Sequence, residues 1–299
     1  MELYFGENGD QRIRGDFIRR AVLRSDLVPI PLTLEAEIRV GTATAANFDV
    51  GRSIFTYDGD ELEIIKSEHV QQARMQGDDM TGFVRLIATL KPVTPVSFIK
   101  PRAVIKHGAS LSEVYRACGA TLRGIEGDFP VPRFACLAGE AHTYHIARAL
   151  QEAGGVVRWR NGRLAFVPLG ALFEQDPMDA IVDSASDDVE SGFLERHDIP
   201  WFYSLDADGE FVYGNRGKPR AARFQPGANA MTLRNMTGCL VLTKTTRLKY
   251  TQKIAAGDLI EVVGGEPLVA MTVANLFAPG ADGDAPEQLT RVWLGRWER

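Results

Sequence analysis

The sequence contains few cysteines, and their spacing gives them no common task. Only Cys118, Cys136 and Cys239 occur among the 299 residues, and no two of them form a CxxC pair. Disulfide scaffolds and paired-cysteine zinc sites need closely and regularly spaced cysteines, so neither class of protein is indicated. We expect the three side chains to be small buried hydrophobes, the usual state of a free cysteine.

Long apolar runs and an excess of basic residues are also missing. No segment approaches the roughly 18 consecutive apolar residues of a membrane-spanning helix, and the first residues lack the basic and apolar regions of a secretion signal. The formal net charge of −5 gives no general attraction to nucleic-acid phosphates. We therefore expect a protein made in a cytoplasm, with no membrane partner and no specific nucleic-acid binding.

The common signatures of phosphate binding and catalysis, GxGxxG, GxxxxGK[ST], GxSxG and HExxH, do not occur. His142 and His145 lie three residues apart beside Glu140, at the start of a predicted helix, where they could face one way and share a metal. No further ligand follows at a standard zinc spacing. We therefore predict no metal, no cofactor and no catalytic residue.

Charged stretches are interpreted as solvated surface. The acidic stretch 176–195 is expected to be a solvated connector or a short helix, because charge runs are solvated far more often than they bind cations. Basic residues concentrate in stretches 12–24 and 216–223. These are expected to be polar strand faces and a basic loop, suited to an acidic partner surface.

The first hundred residues contain several segments that predict short strands. Apolar and polar side chains alternate at 34–40, 53–57, 61–65 and 82–90, and more loosely at 18–34. Asp58-Gly59 predicts a tight hairpin turn. Pro29 and Pro31 cannot donate hydrogen bonds to a sheet, so an edge or a kink is expected around them.

A similar pattern returns near residue 198. Segments 200–205 and 210–213 predict a hairpin, and further strands are predicted at 240–243, 258–263, 268–277 and 290–297. The Gly- and Asp-rich stretch 279–286 is typical of an exposed loop. Both ends of the chain are therefore expected to be β-rich.

The middle of the chain contains its clearest helices. Ser110 and Glu113 form the pattern of a capping box, an apolar stripe follows to Cys118, and a second helix is predicted over about residues 140–153, ending at Gly154-Gly155. Segments 156–160 and 163–167 surround Asn161-Gly162, the dipeptide that best fits a type I′ turn. The expected order is helix, irregular link, helix, hairpin.

These patterns predict an α+β protein that is mainly β. Two β-barrel, tube-like domains, residues 1–100 and 198–299, would flank a central helix-helix-hairpin domain, residues 101–197. Several short strands separated by turn signals favour a small barrel or sandwich for each flank.

One central pattern is also found in a known family. It consists of Leu111-Ser112-Glu113-Val114, a helix ending in Ala147 to Gly154, and the hairpin from Val156 to Phe166. In this it resembles the late control protein D family of phage tail hubs, in which such a segment lies between two β-barrel domains. The chain departs from the family in the helix start His142-Thr143-Tyr144-His145. It also ends without a glycine-rich or β-helical tail, so a separate spike protein is expected.

The resemblance implies a structural virion protein rather than an enzyme, and no catalytic residue carries over. It implies a baseplate hub that forms a homotrimeric ring and joins the tail tube or distal tail protein to a spike or tip protein, assembled in the host cytoplasm. The residues expected at interfaces are those of a proline-rich segment and an exposed loop: Pro29, Ile30, Pro31, Leu32, Leu34, Pro279, Gly280, Asp282, Gly283, Asp284 and Pro286.

Two other functions compete with the hub. A tail-associated cell-wall hydrolase would use paired acidic groups or a metal, with Glu140, His142 and His145 as candidates, because glycosidase carboxylates need no fixed sequence spacing. A carbohydrate-binding β-module would stack sugars on exposed aromatic rings, with Trp201, Tyr203, Trp293 and Trp297 as candidates. Large aromatics also dominate cores and interfaces.

Overall fold

The computed structural model describes residues 1–76, 79–182, 186–188, 200–215, 221–280 and 285–298, and for 71–76, 79–81 and 186–188 the backbone alone. The protein is mainly β, as predicted. The strands are, in chain order, β1 Leu3–Phe5, β2 Gln11–Arg12, β3 Ile18–Asp26, β4 Leu32–Val40, β5 Ser53–Thr56, β6 Glu61–Gln76, β7 Asp79–Leu90, β8 Val104–Ser110, β9 Pro130–Cys136, β10 Gly155–Arg160, β11 Arg163–Pro168, β12 Asp179–Val182, β13 Ser186–Asp188, β14 Trp201–Leu205, β15 Phe211–Tyr213, β16 Ala222–Phe224, β17 Cys239–Lys249, β18 Leu259–Val263, β19 Leu268–Ala278 and β20 Glu287–Glu298.

Three α-helices accompany these strands in the described ranges: α1 Leu111–Ala117, α2 His142–Ala153 and α3 Ala230–Thr237. Short 3-10 segments lie at Gly15–Phe17, Ala45–Phe48, Lys91–Ser97 and Gly170–Phe173. The α1 prediction is confirmed, since Ser110 and Glu113 form both halves of the capping box. Helix α2 begins at His142 and ends at Gly154, whose φ of 73° is left-handed.

One large sheet runs through both flanks of the chain. Its order is β13-β17-β20-β19-β3-β4-β7-β6-β5-β1-β2, and β18 and β12 extend it beside β19. Strands β3 and β19 join the two flanks as antiparallel neighbours, from Thr272 opposite Asp26 to Phe277 opposite Ala21. This strand path is open, so the hydrogen bonds among the described strands do not by themselves form two separate closed barrels.

The strands of each flank nevertheless follow a path whose two ends are close in sequence. In the N-terminal flank the path runs from β3 through β4, β7, β6, β5 and β1 to β2, and β2 leads through Gly15–Phe17 back into β3. In the C-terminal flank it runs from β13 through β17, β20, β19 and β18 to β12. Strand β12 ends at Val182 and β13 begins at Ser186, and residues 183–185 lie outside the described ranges.

The central segment contains more strand than the sequence indicated. The link between α1 and α2, expected to be irregular, includes β9, which pairs antiparallel with β8. The predicted hairpin is confirmed as β10 and β11, with Arg160 opposite Arg163. Asn161 and Gly162 have φ values of 50° and 72°, the two positive values that a type I′ turn requires.

Buried apolar side chains form one large cluster and several small ones. The large cluster joins the N-terminal flank to the central segment, from Leu3 through Leu34 and Tyr115 to Leu164. A separate cluster lies within the C-terminal flank, around Ile260 and Leu294. The two flanks therefore share a sheet and have separate main cores, and a small third cluster around Leu172, Leu259 and Val269 connects the C-terminal flank to the central segment.

Helix α3 was not predicted from sequence. Asn229 caps its first turn by accepting a hydrogen bond from the Thr232 backbone. Leu233 and Met236 of α3 pack against Phe202 of β14, in a small unit completed by β15 and β16. The helix has only about two turns, so its apolar periodicity is too short to stand out.

Candidate functional site

One face of the shared sheet carries rows of charged side chains. Directly opposed residues of antiparallel strands point to the same face, and successive registers place Arg20, Glu37, Arg85 and Glu68 in one row across β3, β4, β7 and β6. Arg85 and Arg19 form ion pairs with Glu37 at 3.3 and 2.8 Å. We call this surface the open face; its alternating charges partly neutralise one another.

The open face continues across the junction between the flanks. Arg24 of β3 lies opposite Ala274 of β19, Ala274 opposite Arg291 of β20, and Arg291 opposite Arg247 of β17. All three arginines are exposed. Two of them, Arg247 and Arg291, belong to the C-terminal flank and are directly opposed in this row, whereas basic and acidic residues alternate in the row of the N-terminal flank.

On each side of the shared sheet, one long strand has an outer edge that pairs with a neighbouring strand over only a few residues. Strand β5 pairs with β6 only over residues 61–63, although β6 continues to Gln76. At the opposite end β13 pairs with β17 only from Lys244 to Thr246. Over the described residues, no strand pairs with the outer edge of β6 beyond Lys66 or of β17 beyond Arg247. Such edges can pair with a strand of another chain.

Part of the predicted interface lies inside the chain. Most of the segment is buried, namely Pro29, Pro31, Leu32 and Leu34, and Ile30 is half-buried. The Pro29 carbonyl accepts a hydrogen bond from the buried Tyr115 hydroxyl at 3.1 Å. The segment thus packs against α1, and its neighbour Val28 is the exposed residue.

The predicted loop 279–286 joins β19 to β20. Gly280 and Pro286 are exposed and Pro279 is half-buried, whereas Asp282, Gly283 and Asp284 lie outside the described residues. This loop stands at one end of the strands that cross the junction.

The tip of the β10–β11 hairpin contacts both flanks. Trp159 donates a hydrogen bond through Nε1 to Oδ1 of Asp60 in the N-terminal flank, at 2.8 Å. Arg160 donates to Oδ1 of Asp258 in the C-terminal flank, at 2.5 Å. The Asp258 side chain is 4% exposed, against 30% for Arg160. We call this pair of contacts the hairpin clamp, because it holds the two flanks beside the β3–β19 junction.

Burial influences the acidic residue on the N-terminal side of the clamp. It raises the pKa of Asp60 by penalising the carboxylate, while the hydrogen bond from Trp159 acts in the opposite direction. Further polar contacts connect the flanks, since Thr272 donates to Asp26 at 2.6 Å and the Ala256 backbone donates to Ser25 at 2.9 Å. The junction is therefore held by a strand ladder and by polar contacts.

The two predicted histidines do not face one way. His142 is buried, with Nδ1 3.2 Å from the Phe98 carbonyl, and desolvation lowers its pKa. His145 instead lies 3.0 Å from Glu140, through Nε2 and Oε2. The Cys136 thiol is part of the same group, within 4.8 Å of the other two donor atoms.

The four candidate aromatic residues separate into two kinds of environment. Trp201 and Tyr203 belong to a group on one face of the β14–β16 sheet, with ring centroids 5.4–6.0 Å apart, that also includes Tyr213, Phe211 and Phe224. Phe211 and Phe224 are exposed. Trp293 lies under the guanidinium of Arg291, and Trp297 stacks on Phe173.

The charged stretches predicted from the sequence are described in part, and several of their residues form ion pairs. In the first basic stretch Arg12, Arg14 and Arg24 form ion pairs with Glu2, Asp16 and Asp26. The second is described only from residue 221 on, where Arg223 is exposed. The acidic stretch is not simply a connector, because β12 pairs in parallel with β18 and buries Ile181.

Comparisons with solved structures identify the fold. A tail protein from Neisseria meningitidis matches with a TM-score of 0.64 at 13% identity, covering 99% of this chain and 95% of that one. The 43 kDa tail protein of prophage MuSo2 from Shewanella oneidensis matches at 0.62 and 10% identity, covering 99% and 98%. A type VI secretion component from E. coli, described as similar to phage T4 tail proteins gp27 and gp5, matches at 0.53 and 9% identity, covering 93% and 73%.

The chain thus has the fold of phage tail proteins and of a type VI secretion component, which confirms its resemblance to phage tail hub proteins. Comparison with protein-family models finds no match, and comparison with curated protein sequences finds none either. Among the described residues, no helix is long and apolar enough to cross a membrane.

The open face, the hairpin clamp and the Cys136 group have no signature in the sequence. The alternation of apolar and polar side chains predicts the strands and places Arg20, Glu37 and Arg85 at polar positions. The order of the strands in the sheet, in which β3 lies beside β19, has no signal in the sequence. Because residues such as Asn275 and Leu23 are 252 positions apart and yet directly opposed, only the tertiary structure brings these groups together.

Proposed function

We propose that this protein is a non-enzymatic phage tail baseplate hub, which forms a homotrimeric ring between the tail tube and the spike or tip. The observation that carries the proposal is the shared sheet, in which β3 and β19 place the two flanks side by side. Similar folds in tail proteins of nearly the same length support it.

Each flank is proposed to act as one barrel-like unit of the ring. Support comes from the strand paths, since both begin and end in neighbouring parts of the chain. The proposed units are residues 1–100 and 198–299 around the central segment 101–197, with β12 and β13 of that segment inserted into the C-terminal sheet. Three chains with two such units each would present six similar units to a sixfold tube.

The ring is proposed to close through the two strand edges of the shared sheet. Between β17 and β6 inclusive the sheet has seven strands, so three chains would form a cylinder of 21 strands. The edge of β6 in one chain would pair with the edge of β17 in the next, because closure of a ring removes edges that are otherwise prone to aggregation. The open face would then line the channel.

The remaining interfaces are proposed at the ends of the cylinder. The loop 279–286, with Pro279, Gly280 and Pro286, would contact the tail tube, the distal tail protein or the spike, and the segment 28–34 would offer Val28 and Ile30. In this arrangement the protein is part of the virion tail, assembles in the host cytoplasm, and needs neither a membrane nor specific nucleic-acid binding.

Light scattering of the purified, untagged chain over a wide concentration range tests the proposal. The expected mass is three times the 32.9 kDa of the chain. A strict monomer, in the presence of spike and tube partners as well, would contradict the hub.

Two proline variants at the β6 edge test how the ring closes. Successive N–H groups of a strand point to opposite sides, so of Ser67→Pro and Glu68→Pro one removes a donor towards β7 and the other a donor at the outer edge. We expect the outer-edge variant to remain folded and become monomeric, and the other to lose stability. If both variants stay trimeric, the ring closes elsewhere.

The aromatic group on β14–β16 favours carbohydrate binding as a second function. Flat rings with one exposed face can stack on sugars, and Trp201 and Tyr203 are supported from behind by Phe202 and Leu233. Glycan binding followed by tryptophan fluorescence should be lost in Trp201→Ala and retained in Trp297→Phe. Equal binding by both variants would exclude this surface.

A further inference from the structure

The turn between β9 and α2 brings together three side chains of different metal-binding types. Cys136 ends β9, Glu140 lies in the turn, and His145 is in the first turn of α2. Their sulphur, oxygen and nitrogen atoms all lie within 4.8 Å of one another. We propose that Cys136, Glu140 and His145 form a Zn²⁺ site that fastens β9 to α2.

The types of ligand select the metal. Thiolate and imidazole are preferred ligands of zinc, and a carboxylate completes sets of this kind, whereas Ca²⁺ and Mg²⁺ prefer oxygen alone. Glu140 by itself would be an ordinary surface carboxylate. The adjacent sulphur and nitrogen donors distinguish this group from the acidic clusters that are common on protein surfaces.

The nitrogen and oxygen donors already lie at nearly the separation that a zinc ion requires. Nε2 of His145 and Oε2 of Glu140 are 3.0 Å apart, and two ligands at about 2.0 Å from a tetrahedral zinc ion would be about 3.3 Å apart. Zinc would therefore fit these two donor atoms with a shift of a few tenths of an ångström, and the Cys136 sulphur, within 4.8 Å of both, would move towards the ion. The thiol, which now contacts the carbonyl oxygens of Leu137 and Glu140 at 3.8 and 3.7 Å, would lose its proton to the solvent.

Each donor is already held in place by its surroundings. Glu140 accepts a hydrogen bond from the Leu137 backbone at 2.7 Å, and Cys136 is buried at the end of a paired strand. The His145 ring packs edge-on against Phe134 and Tyr144, with centroids 6.3 and 5.3 Å away. Donors fixed in this way lose little conformational freedom when a metal binds.

Solvent reaches the group from one side, so a water molecule could be the fourth ligand of the zinc ion. The Glu140 side chain is 43% exposed and that of His145 is 18% exposed, while Cys136 closes the opposite side. Three protein ligands and one water complete a tetrahedral zinc ion. His142 is not a member, because its ring is buried beside the Phe98 carbonyl.

The site would stabilise a helix that connects two parts of the molecule. Near its end α2 contacts α3, where Gln151 donates to the Met236 carbonyl and Asn235 donates to the Glu152 carbonyl. Zinc at the start of α2 would fix the other end to β9. The expected result is a more rigid support for the small unit of α3 and β14–β16.

Co²⁺ and Zn²⁺ titrations of the full-length, untagged chain test the site. We expect one Co²⁺ per chain, a thiolate-to-cobalt charge-transfer band in the near ultraviolet, and its loss on displacement by Zn²⁺. Zinc should also raise the melting temperature, because a ligand that binds only the folded state stabilises it. Absence of the charge-transfer band would overturn the proposal.

Ligand variants separate this group from other thiols. His145→Asn and Cys136→Ala should each weaken zinc binding by about 100-fold or more, beyond the usual effect of changing a supporting residue, and should remove the zinc-dependent shift in melting temperature. Cys239→Ser is the matched thiol control and should bind zinc as the unmodified chain does. Cys136 is buried, so Cys136→Ala could fail to fold. In that case His145→Asn alone tests the proposal. Unchanged affinity in folded His145→Asn would overturn the proposal.

Discussion

The two flanks have the same kind of strand path but differ in how they are held to the rest of the molecule. The N-terminal flank shares one apolar cluster with the central segment, so Leu34 and Tyr115 are buried in the same core. The C-terminal flank has its own smaller cluster and is joined through the β3–β19 ladder, through polar contacts, and through a small apolar cluster in which Leu259 and Val269 meet Leu172. Similar topology therefore does not imply similar cohesion. A large apolar cluster integrates one flank, whereas hydrogen bonds, an ion pair with a buried carboxylate and a small apolar cluster attach the other.

Truncating one core leucine in each flank tests this difference most strongly. Leu34 and Leu294 are both fully buried, and a Leu→Ala change in such a position costs about 3 kcal/mol of unfolding free energy through lost burial and the cavity left behind. In hydrogen exchange, Leu34→Ala should weaken protection in the N-terminal flank and in α1 together. Leu294→Ala should weaken β17–β20 and leave α1 unchanged. Equal loss throughout the chain in both variants would show that the flanks unfold as one unit.

Removing the arginine of the hairpin clamp should have the next largest effect. Arg160→Met leaves the buried Asp258 carboxylate without its cationic partner, which we expect to cost about 2 kcal/mol; this is less than a fully buried pair would lose, because Arg160 is partly exposed. Hydrogen exchange should increase at β18 and β19. The matched control is Arg163→Met in the same hairpin, whose partner Glu126 is exposed, and whose cost should stay below about 1 kcal/mol. Equal stability of the two variants in urea would contradict a role of the clamp.

Helix caps in the two environments provide the finest comparison. Ser110→Ala removes the cap of α1, which belongs to the large core, and Asn229→Ala removes the cap of α3, which packs on a small one. Each loss should cost about 1 kcal/mol. The effect of Asn229→Ala should be confined to exchange in α3 and β14–β16, whereas Ser110→Ala should lower the stability of the whole N-terminal core. Thermal unfolding together with hydrogen exchange would distinguish the two variants. A local effect of Ser110→Ala would weaken the distinction between the flanks.

Local sequence patterns predicted the elements that depend on neighbouring residues. The capping box at Ser110, the Asn161-Gly162 turn and the helix end at Gly154 were all expected and are all present. Each of them is decided within a few residues by backbone conformation and hydrogen bonding. The edge or kink expected around Pro29 and Pro31 also fits, since β3 ends before them and β4 begins after them.

Elements without a strong local pattern were missed, for different physical reasons. Strand β9 contains two prolines, which argue against a strand, and α3 is too short to show a clear apolar stripe. Strand β12 was concealed in an acidic stretch, because a single buried side chain, Ile181, secures it against β18. Most of the segment 29–34 is buried within the chain, since apolar residues suit a core as well as a partner surface, and an interface there stays a prediction.

A mainly β chain, a capped helix, a type I′ hairpin at its centre and the resemblance to phage tail hubs can all be predicted from residues that are neighbours along the chain. The pairing of β3 with β19, the contacts of Trp159 and Arg160 with opposite flanks, and the contact between Cys136 and His145 become visible only in the folded molecule. Such contacts depend on the order of strands and on how long-range burial competes with local preference, and neither is recorded in the spacing of residues.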